Sequence, residues 1–344
     1  MSGRAKGSHR TVRWLWTTGG PAARLARVGL LPLSGLFRAA VAARTAAYDR
    51  GFLPVRDLGL PTVAIGNLTV GGSGKTPLAA WVAQQYDLMG WRPGILLRGH
   101  GADERYVHER LVPEAIVVAD PDRVAGARRA AARGAQVLVL DDAFQRLDVR
   151  RDLNIAVVAA EVSRAVPWLL PAGPWREGWS ALERADLVIV TRKRASSAVA
   201  EEFAERIGDR IAGRAVARCV LGIVRLEGMI SGARHEPEFV RGRRVLASAG
   251  VADPEAFAAQ VRAAGGRVRL VAWNDHHAYD RQDTEWLAQQ AAGADVLVVT
   301  EKDAVKLRQR WPVDAAEPLV AVLDVTWEDG EGTVRDALAA VVQR

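Results

Sequence analysis

From residue 61 onward the chain alternates short apolar runs with longer stretches of helical period. The runs "TVAIGN" (62–67), "GILLRG" (94–99), "AIVVAD" (115–120), "QVLVLDD" (136–142), "NIAVVAA" (154–160) and "DLVIVT" (186–191) are each a few residues long and rich in Val, Ile and Leu. Between several of them lie amphipathic stretches such as "PLAAWVAQQYDLMG" (77–90) and "DRVAGARRAAARG" (122–134). Continuous apolar strands separated by helices predict a parallel sheet covered on both faces. A second series follows with "RVLASAG" (244–250), "VRLVAW" (268–273), "DVLVVT" (295–300) and "LVAVLD" (319–324). The Gly- and charge-rich segment 222–244 between the two series is the candidate hinge. The expected organisation is α/β: a parallel-sheet domain over 51–225 and a smaller α/β domain over 226–344.

Residues 1–50 break this pattern. The start is basic, with Arg4, Lys6, Arg10 and Arg13. After it, Leu36, Phe37, Ala40, Val41, Ala47 and Tyr48 recur at helical spacing with Arg38 and Arg44 between them. Apolar positions beside arginines suit a helix lying in a membrane interface, and equally a first helix packed on the domain. No apolar run reaches the roughly 20 residues of a spanning helix, and no secretory h-region is evident.

Composition sharpens the picture in two places. Of the 344 residues 49% are apolar and 25% charged, enough for a sizeable core, and the net charge of +7 favours phosphate-bearing partners. The single cysteine, Cys219, excludes an intrachain disulfide and a cysteine metal cluster and fits a reducing compartment.

The candidate chemistry sits after the first strand. Thr69-Val70-Gly71-Gly72-Ser73-Gly74-Lys75-Thr76 has the form of a phosphate-binding loop with Thr69 where Gly is usual. The glycines let successive N–H groups converge on phosphate oxygens, Lys75 would reach the β- and γ-phosphates, and the Thr76 hydroxyl would hold Mg²⁺. Asp141 and Asp142 end another apolar strand, where a carboxylate helps hold the metal of ATP.

The segments "IGNLTVGGSGKTP", "LLRGHG", "LDDAFQRLDVRRDLNI", "LLPAGPWRE", "ASAGVADPEAF", "NDHHAYDRQD" and "VTEKDAVK" occur in this order. Together they resemble the tetraacyldisaccharide 4'-kinases of lipid A biosynthesis, from about residue 30 to residue 325. The resemblance implies a P-loop kinase that transfers the γ-phosphate of ATP to the 4'-hydroxyl of tetraacyldisaccharide 1-phosphate. It implies an active site in the cleft between a larger and a smaller α/β domain. It also implies a peripheral protein on the cytoplasmic side of the inner membrane, held by its N-terminal region. By the same resemblance Glu177 lies near the metal with Asp141 and Asp142, followed by Gln145. His276 works with an aspartate to activate the acceptor hydroxyl. Asp103 in "ADER" is the match for that aspartate in a shortened segment that lacks the motif's Gly and Pro, with Asp120 and Asp122 as alternatives. Arg98 and Arg176 are the arginines that would help neutralise the γ-phosphate.

Other features have plainer expectations. His9, His108 and His235 are expected on the surface. "TEKDAVK" is expected to start a helix, with Thr300 capping toward Asp303. Trp14 and Trp16 suit a membrane interface; Trp168, Trp175 and Trp179 either line an acyl or sugar site or pack in the core. A P-loop GTPase or metal chaperone would want Asn-Lys-x-Asp, which "VIVTRKR" (188–194) does not supply. A nucleic-acid-binding module would want a recognition motif or an aromatic-basic stripe, and none is evident, so nucleic acid is not an expected partner.

Overall fold

The computed structural model of the protein describes residues 14–16, 20–99, 102–163, 165–211 and 213–343. The helix α1 (Pro21–Asp49) leads into β1 (Thr62–Asn67), α2 (Lys75–Leu88), β2 (Pro93–Leu97), α3 (Ala102–Leu111), β3 (Ile116–Ala119), α4 (Arg123–Ala132) and β4 (Val137–Leu140). Then come β5 (Leu153–Ala159), β6 (Leu187–Arg192), α5 (Ser197–Gly208), β7 (Ala215–Gly228) and the short β8 (Arg234–His235). The chain closes with β9 (Arg244–Ala249), α6 (Pro254–Ala263), β10 (Arg267–Ala272), α7 (Arg281–Ala291), β11 (Val296–Thr300), α8 (Glu301–Leu307), β12 (Leu319–Asp329) and α9 (Glu331–Val342).

The strands form one mixed sheet in the order β10-β9-β11-β12-β7-β6-β5-β1-β4-β2-β3, with β8 beside β7. Neighbours are parallel except at β7, which runs antiparallel to β12 and β8. β1, β4 and β5 are almost wholly buried, as strands covered on both faces by helices must be. Leu78, Val82 and Tyr86 of α2 pack on one face with Val63, Ile65 and Val139. Phe203 and Ile207 of α5 pack with Val188 and Val190 on the other.

The strand β7 is what the hydropathy pattern does not announce. Its buried positions Ala217, Cys219 and Leu221 alternate with Arg218 and Val220, and Gly222 and Arg225 follow. The candidate hinge therefore begins inside an ordered strand: residues 222–228 lie on the long β7–β12 ladder. The sheet runs unbroken through this seam.

The helix α1 also corrects an expectation. It is 29 residues long and passes, by length and composition, as able to cross a membrane, with an 18-residue window of hydropathy 1.4. Arg24, Arg27 and Pro32 interrupt the apolar run in sequence but not the helix, which continues through Pro32 to Asp49 although that residue cannot donate a backbone hydrogen bond. Leu25, Val28, Leu33 and Leu36 are exposed. Ser34 fastens the helix to the body, donating to Leu169 O at 2.9 Å and accepting from Ala172 N at 3.1 Å.

Candidate active site

The strands β1 and β4 are neighbours and end at the same edge of the sheet. Ligands of open α/β sheets bind outside such carboxyl ends. After β1 the chain curls through Gly71 (φ +119°) and Gly74 (φ +89°) and enters α2 at Lys75. At Gly74 a side chain would be strained by the left-handed backbone and would run into Leu221. α2 has no side-chain cap and no acid in its first turn, so its N-terminal amides are unneutralised.

The loop is held from below. Asn67, fully buried, donates from Nδ2 to Ser73 Oγ at 2.8 Å and accepts from Lys75 Nζ at 3.1 Å. Lys75 Nζ also lies 3.3 Å from Asp142 Oδ1. On the other flank Val70 N donates to Pro174 O at 2.7 Å and Arg176 N to Leu68 O at 2.7 Å, which ties the loop to "LLPAGPWRE". Thr69 takes part in this pairing, opposite Trp175, and is 8% exposed. A position that glycine would hold thus anchors the loop through its backbone.

Asp141 is buried, and its Oδ2 lies 3.0 Å from His108 Nε2. Burial alone would raise this carboxyl. The His108 hydrogen bond and the charges of Lys75 and Lys302 outweigh it and hold the pKa below the usual range. Its other oxygen, Oδ1, is buried without a hydrogen-bond partner. His108, expected on the surface, is fully buried instead. Its partner lies 33 residues away, so no local spacing announces the pair.

Asp142 Oδ1 accepts from Arg176 Nη1 at 2.9 Å, so Lys75 and Arg176 converge on one carboxylate. Glu177 is buried and committed: Oε1 accepts from Arg184 at 2.7 Å and Oε2 from Gln145 Nε2 at 3.0 Å. Arg98 is exposed at the end of β2. Asp120 pairs with Arg129, and Asp122 caps α4 by accepting from Val124 N and Ala125 N. Those alternatives to Asp103 therefore have structural duties. Asp103 itself falls in the first turn of α3, and its side chain lies outside the described residues. The next residue, Glu104, accepts from Lys302 Nζ of α8 at 3.0 Å, so this turn faces the second half of the molecule.

There the loop after β10 carries His276. Among the described residues only Asp142 (φ +52°) and His276 (φ +57°) are non-glycines with positive φ. Left-handed backbone at such residues is uncommon and gathers at functional sites. His276 N donates to Gly250 O at 3.1 Å. His277 is occupied elsewhere, stacked on Trp273 and bonded through Nε2 to Asp283 at 2.7 Å.

Thr300 caps α8 as expected, accepting from Asp303 N. Asp303 does more: its carboxylate, fully buried, accepts from Gly250 N at 2.9 Å, Tyr279 OH at 3.0 Å and Thr300 Oγ1 at 2.6 Å. It joins the loop after β9 to the loop that carries His276. Trp175 belongs to the core, edge-on to Trp179 at 4.6 Å, which decides its case for packing. Trp16 donates to Pro171 O at 3.1 Å.

A glycine-rich loop after a central parallel strand, a lysine held beside an aspartate pair and an open helix N-terminus define a P-loop phosphotransferase. The model of the tetraacyldisaccharide-1-P 4'-kinase family matches residues 26–111 and 102–343. The tetraacyldisaccharide 4'-kinase of Anaeromyxobacter dehalogenans is 37% identical, over 95% of this chain and 93% of that protein. That of an Azoarcus species is 35% identical, over 97% and 96%. Among solved structures, LpxK from Aquifex aeolicus, crystallised with ATP, matches with a TM-score of 0.73 at 25% identity, over 92% of this chain and 99% of that one. The chain belongs to the tetraacyldisaccharide-1-P 4'-kinase family, and it is an ATP-dependent kinase of lipid A biosynthesis.

Proposed function

We propose that the γ-phosphate of ATP passes to the 4'-hydroxyl of tetraacyldisaccharide 1-phosphate at the edge where β1 and β4 end, opposite the His276 loop. The observation that carries this reading is the Lys75 ammonium, fixed at 3.1 Å from Asn67 Oδ1 and 3.3 Å from Asp142 Oδ1 at the start of an uncapped helix. The loop from Thr69 to Thr76 cradles the phosphates with N–H groups at the start of α2, from Gly74 onward, and Lys75 and Arg176 offset their charge.

The residues present fit Mg²⁺. Asp141 Oδ1 is a buried carboxylate oxygen with no other partner, and Thr76 lies in the first turn of α2. Among the described residues no cluster of three or more acids, histidines or cysteines could hold a metal. Phosphate oxygens and water would complete the shell, as Mg²⁺ prefers. When bound, the ion offsets charge on the β- and γ-phosphate oxygens. Asp142 is available to it once a nucleotide draws Lys75 away, and Glu177 supports the site by holding Gln145.

His276, with Asp103, takes the proton of the 4'-hydroxyl. The sugar oxygen bonds to the γ-phosphorus as the bond to the β,γ-bridging oxygen breaks, and ADP leaves. In His276→Gln, kcat falls about 10²–10⁴-fold while ATP affinity stays within about twofold; full turnover in that variant rejects His276 as the base.

The helix α1 brings this site to a lipid surface. Its exposed Leu25, Val28, Leu33 and Leu36 form an apolar stripe bordered by arginines, and Arg44 near its other end donates to Gln145 O at 3.1 Å beside the site. Ala23, near its start, is fully buried and Ser34 is bonded to the body, which leaves no free run of the ~20 residues of a spanning segment. The helix therefore lies in the interface, on the cytoplasmic side where ATP is supplied, as a peripheral anchor for the acceptor. Replacing Leu25, Leu33 and Leu36 by Ser should release the protein from anionic vesicles in flotation; unchanged flotation contradicts the anchor.

A further inference from the structure

The strand β6 ends behind the phosphate loop, and two of its neighbouring side chains reach that loop. Thr191, buried, donates from Oγ1 to Ser73 O at 2.8 Å. Lys193 donates from Nζ to Gly72 O at 2.7 Å. These residues belong to none of the motifs that carry the resemblance. A trans peptide points its C=O and N–H in opposite directions. Pinning the Gly72 carbonyl outward therefore fixes the Ser73 N–H inside the curl, and pinning the Ser73 carbonyl turns the Gly74 N–H toward the hollow where anionic oxygens bind. The Ser73 N–H closes a turn onto Gly71 O at 2.9 Å within that curl.

The base of Lys193 is itself fixed. Glu161 Oε1 accepts from the N–H groups of Lys193 and Arg194 at 2.8 Å each and from Ala195 at 3.3 Å. Burial alone would raise the Glu161 carboxyl, but these bonds hold its pKa below the usual range. On either side Arg192 pairs with Glu328 and Arg194 with Asp253. The ammonium thus projects from a rigid turn. Desolvation lowers its pKa; Glu161 and Asp253 oppose the shift, and the charges of Lys302 and Lys75 add to it. Lys193 and Lys75 therefore act in one electrostatic field.

We propose that Lys193 is a positioning residue for the nucleotide: by holding the Gly72 carbonyl away from the phosphates and placing a positive charge behind the loop, it keeps the triphosphate cradle formed before ATP arrives. Thr191 does the same for the Ser73 carbonyl without charge. The role concerns ATP and not the acceptor, so it separates from general loss of structure.

The test uses the full-length enzyme in detergent with Lys193→Met, Lys193→Arg and Thr191→Val. ATP dissociation constants come from calorimetry, KM for ATP and for the acceptor from steady-state kinetics, and Tm from thermal unfolding. Lys193→Met should raise the Kd and KM for ATP about tenfold or more, with the acceptor KM within about twofold and Tm near wild type, because only the loop's preorganisation is lost. Lys193→Arg should recover most of that loss, and Thr191→Val should show a smaller increase. ATP affinity within about twofold of wild type in Lys193→Met overturns the proposal, as do equal losses in the Met and Arg variants or losses that follow Tm. Should Lys193→Met not fold, Lys193→Gln carries the same readings. Binding of ATP alone is measured, so the test stands apart from the identity of the acceptor.

Discussion

The helix after β1 and the helix after β11 start in opposite ways. α2 begins at a left-handed glycine, has no capping side chain and carries no acid in its first turn. α8 begins at Thr300, which caps it, and has Glu301 and Asp303 in its first turn. Both helices have a positive N-terminal end. In α2 that end is left for a phosphate. In α8 it is met by the Thr300 hydroxyl with two acids in the first turn, and that turn becomes a rigid post for the loops at Gly250 and Tyr279. One half of the molecule keeps its electrostatic capacity for substrate, and the other spends it on holding His276 in place.

The sharpest way to break this comparison is to damage the open end. Gly74→Ala puts a side chain on a left-handed residue against Leu221. ATP affinity should fall about fivefold or more, since such substitutions cost on the order of 1 kcal/mol or more; calorimetry with near-normal ATP binding would remove the glycine's role. Next comes the closed end. Asp303→Ala strands the Gly250 N–H and the Tyr279 hydroxyl, each worth about 1–3 kcal/mol when left buried and unpaired. Urea unfolding should show a loss of about 3 kcal/mol, against about 1 kcal/mol for Thr300→Ala. Equal losses would mean that Asp303 serves only the cap.

The smallest effect is in pH. Burial pushes Glu301 up to about 7, against the opposing pull of Arg110, 3.3 Å from its Oε1. A raised carboxyl pKa means that the folded chain holds this proton more tightly than the unfolded one. The contribution is full below the ordinary glutamate value of 4.5 and is lost as pH rises to about 7. Glu301→Gln should flatten Tm against pH over that window and raise Tm above it. An unchanged slope would contradict the assignment.

Much of this was legible in the residues. The strand at 62–67 and the turn into Lys75 follow from an apolar run, three glycines and a lysine, because both are local. Thr300 as a cap is local too. What the pattern hides depends on distant partners. β7 escapes because Val216 and Val220 share its outward positions with Arg218 and several partly buried residues follow Leu221, so its period is faint. His108 reads as a solvated histidine until the fold sets it against Asp141. Asp303 reads as part of a cap until Gly250 and Tyr279 arrive from loops more than twenty residues away. The full length of α1 is masked by Arg24, Arg27 and Pro32, which a helix tolerates at its surface.

Phosphate transfer itself is the most direct test of the account. Wild-type protein and Lys75→Met are incubated with Mg-ATP and tetraacyldisaccharide 1-phosphate in detergent, and the lipid is read by mass spectrometry. One added phosphate at the 4' position with wild type, and about 10²–10³-fold less with Lys75→Met, is the predicted result. An unmodified lipid with wild type that still binds ATP, or equal product from both proteins, would contradict it.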